Sequence, residues 1–152
     1  MGASLDGQVV AIIGRGSSLD RAIAVALAEA GADIAIATQQ PVQEQEFSTA
    51  SIANEIWAIG REQFSHVLDA TDASAVLAFV EDVRSRLGRC DALVLSAPEA
   101  DIANRLYEAV RSAAAGTLVL VGAEAAGFAA LEQHSDAEAG SRIVAILSAS
   151  RR

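Results

Sequence analysis

The chain has 152 residues, with 20 Asp or Glu against 11 basic residues, for a formal net charge of −9. All eleven basic residues are Arg, which excludes chemistry that needs a lysine from these residues, such as a Schiff base or a P-loop lysine on a phosphate. An acidic chain with no Arg cluster has no basic stripe for a nucleic-acid backbone, and Cys90, His66 and His134 are too few for a disulfide framework or a Cys/His zinc cluster.

Hydrophobic residues make up 52% of the chain and aromatic ones only 4%, so the core must be mostly Ala, Val, Ile and Leu. Val9 to Ile13 reads as a buried strand, followed by the glycine-containing stretch Gly14-Arg15-Gly16-Ser17-Ser18. Leu19 to Ala30 follows helical period, with Leu19, Ile23, Ala26, Leu27 and Ala30 on one face, and Gly31 stops it. Asp33 to Ala37 is a second strand. The polar stretch Thr38 to Thr49 reads as a loop, with Ser48 or Thr49 capping a helix that ends at Gly60. Phe64 to Leu68 is a third strand. Thr71 or Asp72 caps a helix from Ala73 to Leu87, stopped by Gly88. Ala92 to Leu95 is a fourth strand. A long helix is expected over roughly Ala103 to Gln133, and Ile143 to Leu147 is a fifth strand. Apolar strands alternating with helices predict one α/β domain over residues 1–152, with a doubly wound parallel sheet of Rossmann-like type. The glycine stretch after the first strand suggests the strand order 3-2-1-4-5. No apolar run approaches the ~20 residues that cross a bilayer. The N-terminus has no basic region followed by an apolar one, so a cytoplasmic protein without membrane partners is expected.

The residues also carry a resemblance. Leu5 to Gly14, Arg21 to Ala24 and Leu27 to Ala35 resemble the opening of a classical short-chain dehydrogenase/reductase. Val67 to Asp72 is similar to the family's DVTD stretch, and Asp91 to Leu95 to the strand before its NNAG motif. Gly116-Thr117 resembles the NLxGTF region of the family's long helix, and Gly140 to Val144 resembles GRIVNISS. These landmarks follow the family's order over nearly the whole chain.

The resemblance implies an NAD or NADP site at Gly14, Arg15, Gly16, Ser17 and Asp69, and it leaves open whether any nucleotide binds. The family's TGxxxGxG pattern falls on Ile13, Gly14, Ser18 and Asp20, so one glycine of three is in register. The later glycines let the backbone approach a pyrophosphate that sits on the helix N-terminus. Asp20 puts a carboxylate there. Ser17, Ser18 or Asp20 capping the helix is one reading; a recast phosphate site on Arg15 and Ser17 is the other. After the second strand, Thr38-Gln39-Gln40 supplies neither the acid of an NAD site nor the Arg of an NADP site. Asp69 matches an adenine-contact position or is a turn aspartate.

No catalytic set is expected. Ser148 matches the family's serine position only, NNAG is replaced by Leu95-Ser96-Ala97-Pro98, and the family's helix asparagine falls at Ala113. The chain stops at Arg152, ahead of where a Tyr-x-x-x-Lys helix would begin, and Tyr107 has no lysine to pair with. His66 reads as a residue at a strand end or a sheet edge, His134 as part of a solvated loop, Cys90 as a half-buried structural thiol and Trp57 as core packing on the second helix. No metal site is expected. The apolar side of the long helix, with Leu106, Val110, Leu118, Leu120 and Val121, is expected to face a partner across residues 106–131, either a homologous dehydrogenase subunit or a second copy. The preferred function is a non-catalytic dehydrogenase-like subunit packed on a complete homologue. The alternatives are an NAD(P)-binding oxidoreductase with an altered site and a small ligand-binding or regulatory module.

Overall fold

A computed structural model describes residues 4–96, 117–121 and 142–146. Six strands form one parallel sheet: β1 (Val9–Gly14), β2 (Asp33–Thr38), β3 (Gln63–His66), β4 (Ala92–Ser96), β5 (Thr117–Val121) and β6 (Arg142–Ile146). The described helices are α1 (Ser18–Glu29), α2 (Gln43–Ile59) and α3 (Ala73–Leu87). The sheet order is β3-β2-β1-β4-β5-β6. Val9 faces Asp33 on one side of β1, and Val10 faces Ala92 on the other.

β1, β2 and β4 read as nearly unbroken apolar runs because both faces of the sheet are covered around them. Side chains alternate across a strand, so β1 splits its residues between two cores. Val9, Ala11 and Ile13 join Phe64, Val76, Phe79, Val83, Leu93 and Leu95 on the α3 side. Val10 and Ile12 join Ala24, Ala28, Ile34, Ile36, Ile52 and Ile56 on the side of α1 and α2. The small alanines on α1, buried at positions 24 and 28, let that helix sit close to the sheet.

α3 has both expected ends. The Asp72 carboxylate accepts from the N–H groups of Ser74 and Ala75, and Gly88 takes a left-handed conformation past the last turn. α2 starts earlier than expected, at Gln43, behind Val42, which offers no side-chain cap. The helix buries Gln45, Thr49, Ile52, Ala53 and Ile56. Trp57 is therefore turned away from the core and is 70% exposed, a correction to its expected place.

The order 3-2-1-4 is as expected. Beyond β4 the structure corrects the reading. Thr117–Val121, expected within the long helix, is β5 and pairs with β4. Leu118, Leu120 and Val121 therefore belong to a strand and not to a helix face. β6 lies one place further out, paired with β5. A run of Leu and Val between Gly116 and Gly122 has strand length, and each flanking glycine costs a helix about 1 kcal/mol. Leu106, Val110, Tyr107, Ala113, His134 and Ser148 lie outside the described residues.

Candidate functional site

The loop between β1 and α1 sits at the C-terminal end of the central strand, where open α/β sheets place their ligands. Ser17 caps α1, and its hydroxyl accepts from the Asp20 N–H at 3.2 Å. Asp20 completes the capping box from the third helical position. Its carboxylate does more than capping requires. Oδ2 accepts from the backbone N–H groups of Arg15 and Gly16 at 3.0 Å and of Ser17 at 3.1 Å. Asp20 is 1% exposed, and its other oxygen, Oδ1, is buried without a hydrogen-bond partner among the described residues.

The two glycines of the loop are there for close approach. A Cβ on Gly14 would lie 2.5 Å from Asp20 Oδ2, so the carboxylate rests on the bare backbone of β1. Gly16 has φ +76°, and a Cβ there would meet the Ser48 Cβ at 2.3 Å, which seats the loop against α2. The loop is thus bounded by Asp20 on one side and α2 on the other.

Amides and hydroxyls tie down the ends of the neighbouring strands. The Arg15 Nε donates to Gln39 Oε1 at 2.9 Å, joining the loop to the end of β2. Gln39 is buried. Its N–H donates to the Gly14 carbonyl at 2.9 Å and to Gln45 Oε1 at 3.0 Å. Gln45 Oε1 also accepts from the Gln40 N–H at 2.8 Å. The Thr38 hydroxyl donates to the Leu68 carbonyl at 2.8 Å and accepts from the Leu68 N–H at 2.9 Å. The sequence carries no signal for Gln45 as a site residue, because the polar stretch Thr38 to Thr49 has the pattern of a loop.

Asp69 is exposed and accepts from Thr71, at 2.9 Å from the backbone N–H and 2.6 Å from the hydroxyl. These bonds from Thr71 hold its carboxyl below the usual aspartate range. The following Ala70 N–H donates to the Gln39 carbonyl at 2.9 Å. A shallow cleft of about 400 Å³ opens between α1 and α2, lined by Ser17, Ser18, Arg21, Phe47, Ser48 and Ser51. Arg21 bridges the two helices to Glu55 at 2.5 Å. His66 ends β3 on the sheet edge and stacks on Phe79, with ring centroids 5.5 Å apart. Cys90 is half-buried; burial pushes its thiol pKa up, partly offset by the nearby Arg84 charge. Among the described residues, no three His, Cys, Asp or Glu side chains are grouped to hold a metal. Among them also, no helix is long and apolar enough to cross a membrane.

The family model for short chain dehydrogenases matches residues 8–149. The chain belongs to that family. It is 32% identical over 113 residues to the 2-dehydro-3-deoxy-D-gluconate 5-dehydrogenase of Pseudoalteromonas atlantica, covering 70% of this chain and 43% of that protein. The chain therefore spans less than half the length of that relative. Its fold is similar to that of carveol dehydrogenase from Mycobacterium avium in complex with NAD, with TM-score 0.80 and 20% identity, over 96% of this chain and 72% of the other. It is likewise similar to a metagenomic short-chain oxidoreductase in complex with NADP, with TM-score 0.77 and 21% identity, over 96% of this chain and 84% of the other.

A short-chain dehydrogenase fold implies a nicotinamide dinucleotide at the glycine loop. The residues present do not fit its pyrophosphate. The loop N–H groups that an anion would need already bond to Asp20 Oδ2. A phosphate brought to about 4 Å from that carboxylate would meet a repulsion of about 4 kcal/mol at an effective dielectric of about 20. That exceeds the net value of one or two ordinary hydrogen bonds, about 1 kcal/mol each.

Proposed function

We propose that this chain is a non-catalytic member of the short-chain dehydrogenase family, a subunit that packs against a catalytically complete dehydrogenase or reductase homologue. The observation that carries the reading is Asp20, whose buried carboxylate takes the three loop amides. The partner on this reading is a homologous subunit, or a second copy of the chain.

The test has two arms. Calorimetric titration of the chain with NAD(H) and NADP(H) is expected to give no binding heat, and a panel of alcohols and ketones no turnover. Capture from the native host, read by mass spectrometry, is expected to recover a full-length dehydrogenase. Turnover by the chain alone would contradict the reading.

A second reading, an NAD(P)-binding oxidoreductase with an altered site, draws on Gly14 in register and on Arg15 held beside the loop by Gln39. It requires binding heat with one of the two dinucleotides, either by the chain or by its recovered complex.

A further inference from the structure

We infer that Asp20 is an internal ligand, a carboxylate that occupies a working anion site and keeps it closed. This rests on the reading of the chain as a non-catalytic family member and asks what was done to the site. A simple cap does not account for the residue. Ser17 already caps α1, and the capping box needs only the backbone N–H of Ser17 from Asp20. The carboxylate instead gathers three successive amides, from Arg15, Gly16 and Ser17, within 0.1 Å of one another in length. Successive N–H groups converging on one oxygen at a helix N-terminus form the concavity that binds phosphate in other proteins.

The second observation is the orphan oxygen. Asp20 is 1% exposed, yet Oδ1 has no partner among the described residues. A buried carboxylate oxygen left unpaired is costly, and the three bonds to Oδ2 offset that cost. The fit is also tight on the strand side, where only a glycine at position 14 leaves room for the carboxylate. Arg15 and Ser17 are exposed, so the concavity lies at the surface and a solute can reach it once the carboxylate is gone. Removing the Asp20 side chain should therefore leave a vacant anion site rather than a collapsed loop.

The experiment uses inorganic pyrophosphate as the probe on the full chain, with Asp20→Gly and Asp20→Ala as variants. The expected result is that pyrophosphate raises the thermal midpoint of both variants in a saturable way and leaves the unaltered chain unmoved. Isothermal titration should show affinity at least about tenfold higher in the variants. If Asp20→Gly is unfolded on its own, pyrophosphate is expected to restore its circular dichroism, and Asp20→Ala, with better helix propensity, is read alongside it. Failure of pyrophosphate to stabilise either variant, folded or unfolded, overturns the internal-ligand inference and leaves the non-catalytic reading standing. Equal pyrophosphate binding by the unaltered chain overturns it too. Only dinucleotide turnover by the unaltered chain would overturn the non-catalytic reading.

Discussion

Two carboxylates follow the C-terminal ends of β1 and β3, the strands on either side of β2, and both accept backbone N–H bonds. Asp69, after β3, is exposed, and its carboxylate accepts from the N–H and the hydroxyl of Thr71, two residues away. Asp20, after β1, is buried and holds three amides of a loop that precedes its own helix. The chemistry is the same and the consequence differs. Around Asp69 water can replace every bond, so the residue shapes a turn and little else. The Asp20 carboxylate is buried, and one oxygen gathers all three amides. The same side chain there decides whether the glycine loop can receive an anion.

The largest expected difference is in stability. Asp20→Ala should cost about 2–4 kcal/mol, because it removes one buried acceptor from three part-buried amides at once. Asp69→Ala should stay within about 0.5 kcal/mol, as exposed substitutions do. Urea midpoints with unchanged slopes check the pair, and equal losses would break the comparison. Ser17→Ala comes next, at about 1 kcal/mol, since it removes the cap and leaves the Asp20 carboxylate in place. A loss as large as that of Asp20→Ala would mean that the cap, and not the amide cluster, holds the loop.

The smallest effect concerns pH. The Asp69 carboxyl is held below its ordinary range by Thr71, so its folded pKa is below the unfolded one. Its small contribution is therefore complete above the unfolded value of about 4 and fades as the pH falls through the folded one. In Thr71→Val the carboxyl titration, followed by NMR, should move back up. No movement would assign the shift to another group.

Much of this was legible in the sequence. Asp72 and Gly88 mark the ends of α3 because each acts within a few residues of itself. The two-faced core follows from unbroken apolar strands. α2 was less legible at its start, since Val42 carries no capping signal. Trp57 was misplaced because large aromatics are usually buried; the phase of Ile52 and Ile56 on α2 is what turns it outward. β5 had a signal, a Leu/Val run between glycines, that the helical period around it obscured. Gly14, Arg15, Gly16 and Ser17 are brought together at one loop, and Asp69 lies in the turn that Ala70 ties to Gln39. Asp20 was legible as a capping acid and as a charge in the wrong place for a phosphate. Its hold on three amides was not, because that depends on how the loop folds back over β1.

The most direct test of the account is an NMR titration that follows the backbone N–H signals of Arg15, Gly16 and Ser17 while NAD(H) and NADP(H) are added. Held by Asp20, all three should remain unmoved at dinucleotide concentrations that saturate complete members of the family. Saturable shifts at those three amides would contradict the claim that the carboxylate keeps the loop from phosphate.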